Sequence, residues 1–254
     1  YCRRSEKSLR HPSKIASVFN KRKLGNTKNT TEGVEEIETE NKHASSYFSY
    51  GKYAFLYRFY ESYEYHNLEK KFNYMGQVDV AKCFNNIYSH SISWAVKNKK
   101  VAKRDLQDRG GFDRDFDSTM QKANYKETNG ILIGPEVSRI FAEIIMQDID
   151  LRIIQRLYTE KEWKAGAHYD FRRYVDDFFV FTHTQEDFDV ILSILEEELA
   201  FYKLHLNEAK TLLDTRPFLS EISLFKNEYS NSVEYLYSKR FNESGNVLSL
   251  SNPS

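Results

Sequence analysis

The sequence predicts an α+β fold in which helices back an antiparallel β-sheet. The first supporting observation is a tight acidic turn within residues 171–181, flanked by aromatic and β-branched residues, which is typical of a β-hairpin. The second is the repetition of apolar residues at helical spacing, once after Gly134 and once over residues 185–202. A chain of 254 residues, 40% hydrophobic and 29% charged, is long enough for one large globular domain or two small ones.

The N-terminal part of the chain carries two contrasting stretches. Residues 24–46 are polar and rich in Asn, Thr and Glu, which predicts a flexible loop. Residues 47–72 are dense in aromatic side chains. Five residues around this stretch share the spacing of one helix face: Tyr53, Leu56, Tyr57, Tyr60 and Tyr63. We interpret the aromatic helix as the core of a helical layer, with base stacking as the alternative.

The middle of the chain begins with two regular patterns. Residues 76–82 predict a strand, and residues 88–99 predict a helix. Residues 101–128 are charged and include adjacent glycines at Gly110 and Gly111. We therefore expect an irregular connector there, without metal ligands.

The second half of the chain predicts a long helix that opens at Gly134-Pro135, because proline is favoured in the first helical turn. One apolar stripe marks its inner face: Val137, Ile140, Phe141, Ile144, Ile145, Leu151 and Ile154. The hairpin, the helix over residues 185–202 and a short strand at Leu204–Leu206 follow. This order from residue 76 is typical of an RRM-like sheet backed by helices. Beyond residue 220, the clearest strand-like segment is Val233–Tyr237.

The charge balance is neutral, with 37 basic and 37 acidic residues, so net charge alone does not indicate a nucleic-acid partner. Basic residues cluster within residues 1–30 and 97–104, which is consistent with a basic channel or with a solvated face. Cys2 and Cys83 are the only cysteines, which excludes a disulfide framework and favours a reducing cytoplasm. No run of about 18 apolar residues predicts a membrane span.

Three aspartates form the strongest candidate site. Asp176 and Asp177 occupy the hairpin tip, and Asp79 lies near the end of the strand over residues 76–82. Strand pairing would bring the three together, and neighbouring carboxylates repel each other unless a cation lies between them. Mg²⁺ prefers such hard oxygen ligands, and a pair of these ions supports phosphoryl displacement. Asp79 taken alone is equally consistent with a helix cap.

At this point the sequence resembles a known family. Asp79 with Phe84 five residues later, residues 129–136, and residues 174–177 occur in the order of reverse-transcriptase motifs A, B and C. The resemblance extends over residues 45–215. These motifs are specific in combination, although a lone pair of aspartates is not.

A narrower resemblance lies in residues 82–95 and 134–144, which are similar to the abortive-infection (Abi) and defence-associated reverse transcriptases of bacteria. It implies a cytoplasmic RNA-directed DNA polymerase of an antiphage defence system, which adds dNTPs to a primer 3′-hydroxyl. The implied partners are an RNA template or a non-coding RNA, the DNA product, and either further copies of the chain (a homo-oligomer) or partner defence proteins. Protein-primed and untemplated synthesis also occur in that group.

The resemblance further implies a right-hand polymerase with fingers and palm. Because the sequence stops at residue 254, we expect the thumb to be absent or incomplete. The expected division is fingers at 1–75, palm with motif A at 76–96, fingers or connector at 97–130, palm with motifs B, C and D at 131–220, and the palm end or a connection toward a C-terminal region at 221–254.

Within this resemblance Asp79, Asp176 and Asp177 are the catalytic carboxylates, with Asp177 contributing more weakly. They would hold two Mg²⁺ ions, or Mn²⁺ in their place, with the backbone carbonyl of Val80 as a further ligand. Two-metal chemistry would then join a deoxynucleotide to the primer.

Three residues would bind the nucleotide. Phe84 would stack under the sugar and exclude a ribose 2′-hydroxyl, which favours deoxynucleotides. Gly130 would lie under the nascent base pair, although Asn129 replaces the glutamine usual before it. Lys210, in motif D, would protonate or neutralise the leaving pyrophosphate. The candidates for clamping the triphosphate are five basic residues: Arg3, Arg4, Arg10, Lys52 and Arg58.

Two alternatives stay open on the sequence alone. One is a non-catalytic palm scaffold that only holds RNA, and the intact aspartates argue against it. The other is a related RNA polymerase, and the bulky ring of Phe84 argues against it.

Overall fold

The structure, a computed structural model, describes residues 1–2, 4–15, 47–104, 110–218 and 228–236. The chain divides into two compact units, Tyr1–Thr215 and Arg216–Ser254. The predicted flexible loop at residues 24–46 lies outside the described residues. Within those residues, no helix has the length and apolar character needed to cross a membrane.

The first unit contains, in chain order, β1 (Arg10–Ile15), β2 (Phe48–Lys52), α1 (Leu56–Tyr60), α2 (Tyr63–Lys71), β3 (Tyr74–Asp79), α3 (Cys83–Asn86), a 3₁₀ turn (Ser89–Ser91), α4 (Ile92–Lys97), α5 (Lys99–Arg104), α6 (Phe112–Ala123), α7 (Glu136–Lys161), β4 (Tyr169–Tyr174), β5 (Asp177–Thr182), α8 (Gln185–Phe201), a second 3₁₀ turn (Glu208–Lys210) and β6 (Leu212–Thr215). In the second unit, residues 228–236 are helical.

Four strands form one antiparallel sheet in the order β4-β5-β3-β6, and β1 pairs with β2 in a separate two-stranded sheet. The predicted hairpin is confirmed as β4 and β5. The strand predicted over residues 76–82 is present as β3, but it begins at Tyr74 and ends at Asp79. The α+β class with an antiparallel sheet and helices is therefore as the sequence predicts.

Side chains alternate between the two faces of this sheet. One face, which carries Val78, Phe178 and Val180, packs into the main apolar core with α8 and α7. At Gly76 an added Cβ would lie 1.9 Å from the ring of Phe188 in α8. The helix approaches the sheet closely there because no side chain stands in its way.

The opposite face packs against the aromatic helices α1 and α2. The rings of Phe59 and Tyr60 each lie 5.9 Å from that of Phe179, measured between centroids. The ring of Tyr65 lies 6.2 Å from that of Phe181. The aromatic helical layer is confirmed, but it covers a second face of the sheet, whereas the prediction placed helices on one face only.

Several helix predictions are wrong in detail. The aromatic stretch is two helices, because the first ends at Tyr60 and Ser62 then caps α2 through its side chain. Tyr63, assigned to the inner face, is 78% exposed. On α7, Val137 was placed in the buried stripe and is 41% exposed. The helix predicted from residue 88 begins with a 3₁₀ turn and becomes α-helical only at Ile92.

The expectation of an irregular connector over residues 101–128 is wrong, because α6 occupies its centre. Met120 on this helix is buried in the core. Asp113 is buried too, and it pairs with Lys97 at 3.0 Å. Apolar periodicity does not reveal this helix, because an acidic residue such as Asp113 is expected to face solvent. Here Asp113 lies on the buried side of the helix instead.

The last predicted strands are also wrong. Leu204–Leu206 is not a strand, since Leu206 forms only an isolated bridge with Val80. The strand next to β3 is β6, whose residues are mostly exposed and show no alternation. The segment predicted as a strand at Val233–Tyr237 is helical as far as residue 236, and Tyr237 lies outside the described residues.

Candidate active site

Strand register brings the three predicted aspartates to one end of the sheet. Asp79, the last residue of β3, pairs directly with Asp177, the first residue of β5. Asp177 also pairs with Tyr174 of β4 across a two-residue turn formed by Val175 and Asp176. The prediction that Asp176 and Asp177 together form the tip is therefore wrong by one residue, because Asp177 already belongs to β5. Residues almost a hundred positions apart along the chain therefore become neighbours through strand pairing.

These carboxyls share surroundings that disfavour their ionised forms. Burial raises the pKa of Asp177 to about 6, and the carboxylates of Asp176 and Asp79 act in the same direction. Burial also raises the pKa of Asp176, and the Asp79 carboxylate adds to that shift, while Arg173 and Lys210 act against it without cancelling it. Negative charge is thus concentrated at this end of the sheet beyond what nearby cations offset.

Two residues that follow α8 contact Asp79. The Lys210 ammonium lies 3.2 Å from Asp79 Oδ2, on a side chain that is 68% exposed. Asn207 donates from Nδ2 to the same oxygen at 3.0 Å and from its backbone N–H to the Asp79 carbonyl at 2.8 Å. The structure thus brings Lys210 to the aspartates. Sequence reasoning misses Asn207, whose only signal is its place three residues before Lys210.

Oxygen ligands for a divalent cation are concentrated here. Among the described residues, no group of three or more His, Cys, Asp and Glu side chains is arranged to hold a metal ion. The three carboxylates nevertheless fit Mg²⁺ chemically, because hard oxygen donors that carry uncompensated charge are what this ion selects. Val80, the predicted backbone ligand, follows Asp79 directly, and its side chain is buried.

The loop before α7 is tied to α3 by backbone hydrogen bonds. Gly130 N–H donates to the Ile87 carbonyl at 2.9 Å, and Ile131 N–H donates to the Phe84 carbonyl at 2.8 Å. Gly130 has a φ of +85°, and an added Cβ would lie 2.9 Å from the Asn85 carbonyl oxygen. The backbone itself therefore requires glycine at this position. The structure brings Phe84 and Gly130 together, and a nucleotide contact stays a prediction for both.

The same loop presents apolar side chains to solvent. Leu132 is 43% exposed and Ile133 is 67% exposed. Phe84 is partly buried against the core.

One of the basic residues proposed to clamp a triphosphate lies beside the aspartate turn. The Arg10 guanidinium lies 4.7 Å from the ring centroid of Tyr50 and 5.9 Å from that of Tyr174. Its Nη1 donates to the Tyr174 hydroxyl at 3.4 Å. Its buried Nε has no hydrogen-bond partner. The remaining candidates have other surroundings: Arg4 donates to the Ala95 carbonyl, Lys52 pairs with Glu64, Arg58 donates to the Tyr57 hydroxyl, and Arg3 lies outside the described residues.

Comparison with known proteins identifies the family of this sequence. The profile of the family described as reverse transcriptase (RNA-dependent DNA polymerase) matches residues 23–236, which is more than half of the chain. No protein among those with curated descriptions matches the sequence.

Solved structures offer distant likenesses. The telomerase of Candida albicans, in complex with a TWJ fragment of telomeric RNA, is 14% identical with a TM-score of 0.41; the match covers 65% of this chain and 33% of that one. The apo telomerase of Candida tropicalis is 16% identical with a TM-score of 0.41, over 60% of this chain and 31% of that one. The chain thus spans about a third of the length of these proteins.

Proposed function

We propose, because this chain belongs to the reverse transcriptase family, that it extends a primer 3′-hydroxyl with deoxynucleotides directed by an RNA template. The observation that supports this reaction is the meeting of Asp79, Asp176 and Asp177 at one sheet end. These aspartates, together with the Val80 carbonyl, would hold Mg²⁺ or Mn²⁺. When bound, the two ions supply positive charge to the attacking and leaving oxygens of the phosphoryl transfer.

The protein's own residues would do the remaining work. Lys210 stands beside Asp79 on an exposed side chain, so its ammonium is free to turn toward a leaving pyrophosphate and to donate a proton or neutralise it. Asn207 would hold Asp79 in place through its two hydrogen bonds. Arg10 is our candidate for contacting the triphosphate, because its guanidinium lies beside Tyr174, the residue that precedes the turn.

Substrate selection would fall to the segment that joins α3 to the loop before α7. Phe84 would exclude a ribose 2′-hydroxyl by its bulk, and Gly130 would allow the loop to pass under the nascent base pair. The exposed Leu132 and Ile133 would lie along the template. Each of these proposed contacts assigns one step of substrate selection to a particular residue of this chain.

The domain division follows the same proposal. Residues 1–75 and 97–130 would belong to the fingers, residues 76–96 and 131–220 to the palm, and residues 221–254 to the palm end or to a connection beyond it. One feature modifies this division, since Lys7 and Leu9 exchange backbone hydrogen bonds with Arg173 of β4. The proposed fingers segment therefore begins at the edge of the sheet.

A role in antiphage defence, with a non-coding RNA, further copies of the chain or partner proteins, is a further part of the proposal. It is supported by the resemblance of residues 82–95 and 134–144 to the Abi and defence-associated enzymes. Phage plating on bacteria that express the wild-type chain or Asp176→Asn tests it. Equal plating on both strains would contradict the defence role.

Polymerase activity is tested with purified protein, Mg²⁺, an RNA template with an annealed DNA primer, and labelled dNTPs or rNTPs. Asp176→Asn keeps the side-chain shape and removes a charge, so incorporation should fall by roughly 10³-fold or more. Asp189→Asn, an exposed position on α8, is the matched control. No incorporation by any form would favour the RNA-binding scaffold, and a preference for rNTPs would favour an RNA polymerase. Phe84→Ala should relax the preference for dNTPs by roughly tenfold.

A further inference from the structure

Arg173 is fully buried, and strand alternation places it on the sheet face opposite Asp79 and Asp177. Its Nε and Nη2 donate to the two carboxylate oxygens of Asp150, each at 2.9 Å. Its Nη1 and Nη2 donate to Glu143 at 2.9 and 3.2 Å. Burial disfavours the charged guanidinium, but the two carboxylates outweigh it and raise the pKa of Arg173.

One further N–H of this guanidinium, on Nη1, donates to the carbonyl oxygen of Val175 at 2.8 Å. Since a guanidinium carries five N–H donors, every donor of Arg173 has a partner. Val175 is the first residue of the turn and adopts a φ of +60°. A β-branched residue strongly disfavours this left-handed backbone, so contacts around the turn must hold it in place.

The two acidic partners come from a single long helix. Glu143 and Asp150 lie two turns apart on α7. Gln147, between them, donates to Glu143 Oε1 at 2.6 Å and accepts a hydrogen bond from the backbone of Ser5. These contacts fix the Glu143 carboxylate from its other side. The guanidinium is therefore anchored to a rigid element before it reaches the turn.

We propose that Arg173 is a positioning residue, which transmits the placement of α7 to the turn through the Val175 carbonyl and so sets where Asp176 and Asp177 stand. This inference rests on the proposed polymerase function. Lysine is a poor substitute, because its three donors on one nitrogen cannot span two carboxylates and a carbonyl in the plane that arginine offers.

The neighbouring arginine provides a matched control. Arg172 points to the other sheet face, where it pairs with Glu64 and Asp170. Arg173→Lys should lower kcat for dNTP incorporation roughly 10- to 100-fold and change the KM for dNTP by less than about threefold, because misplaced catalytic groups slow the chemical step. Arg172→Lys should keep kcat within about threefold of wild type.

A combined variant separates position from stability. A triple variant, Arg173→Met with Glu143→Met and Asp150→Leu, replaces the whole buried ion cluster by apolar side chains. No unpaired buried charge remains, so its Tm should lie close to that of wild type, unlike that of a variant that loses one partner alone. The Val175 carbonyl still lacks its donor, so kcat should stay low. Backbone amides of residues 174–178 should exchange hydrogen faster in this variant and in Arg173→Lys, and at the wild-type rate in Arg172→Lys.

Two results would overturn the inference. One is a combined variant that regains both Tm and kcat, which would show that the ion cluster serves stability alone. The other is unchanged amide exchange at residues 174–178 in Arg173→Lys. If the wild-type protein incorporates no nucleotide, the polymerase function fails, and the exchange measurement still decides whether Arg173 holds the turn.

Discussion

Two groups of acidic side chains differ in how their charge is offset. Glu143 and Asp150 pack against one face of the sheet, whereas Asp79 and Asp177 lie on the other face and Asp176 lies in the turn. Glu143 and Asp150 are buried and surround a guanidinium that satisfies both. Asp79, Asp176 and Asp177 are half-buried at the sheet end. The one lysine ion pair described there joins Asp79 to Lys210, and the Lys210 side chain is exposed.

On the proposed function, this difference separates the carboxylates that have a cation within the chain from those that would take one from solution. A carboxylate that becomes buried on folding needs a cationic side chain of the same chain beside it, because an unpaired buried charge is strongly destabilising. Burial raises the pKa of Asp150 while Arg173 acts to lower it, so the ionised state of Asp150 depends on that guanidinium. At the sheet end, the chain leaves negative charge under-compensated, which is the condition for binding a divalent cation.

The largest effect is expected in the buried group. Asp150→Asn should lower the free energy of unfolding by ~3–5 kcal/mol, because it removes one partner of a buried, fully paired guanidinium. Chemical denaturation measures it, with Asp189→Asn as the exposed control, expected to change stability by no more than about 0.5 kcal/mol. An equally stable Asp150→Asn protein would break the comparison.

A change of opposite sign is expected at the sheet end. Without divalent cations at pH 8, Asp177→Asn should raise the free energy of unfolding by ~1–2 kcal/mol, because it removes a half-buried charge that its neighbours repel. The folded-state pKa of Asp177 is raised to about 6, so the folded wild type binds more protons than the unfolded chain. Wild-type stability should therefore fall as pH rises from about 4 through 6.

The variant should lack this pH dependence, so the difference between the two proteins should shrink as pH falls toward 4. Adding Mg²⁺ at pH 8 should stabilise the wild type more than Asp177→Asn. Denaturation curves at several pH values, with and without the metal, check both statements. A variant less stable than wild type at pH 8 in chelator would contradict the interpretation of the sheet end as under-compensated.

The smallest effect on stability is expected at Lys210. Its ion pair with Asp79 is exposed, so Lys210→Met should change the free energy of unfolding by less than about 0.5 kcal/mol. Polymerisation should nevertheless slow by roughly 10- to 100-fold if the ammonium assists the leaving group. Lys161→Met, at the exposed end of α7, is the control for lost charge. A large stability loss would show that Lys210 is a structural counter-ion.

Sequence reasoning succeeded where the signal is local. The hairpin that carries Asp176, the presence of a strand around Asp79, and the helices α7 and α8 follow from turn chemistry and apolar periodicity over a few residues. It failed where partners are distant. Helix α6 was missed because its buried Asp113 is paired with Lys97, and β6 was missed because an exposed edge strand shows no alternation.

Arg173 illustrates the same limit within the candidate site. In the sequence it is one of two adjacent arginines, and nothing local separates it from Arg172. Strand alternation sends the two side chains to opposite faces, and only the helix packed against one face supplies Glu143 and Asp150. Its contact with Val175 could not be predicted before that packing was known.

By itself, the sequence determined which acidic residues lie at strand ends and tight turns, because turn propensity and residue period act over a few positions. Only the tertiary structure decided which carboxylates are paired with a cation of the chain and which are left with little compensating charge. The physical reason is that charge compensation depends on distance and burial, and both are set by strand register and helix packing between segments far apart in the chain.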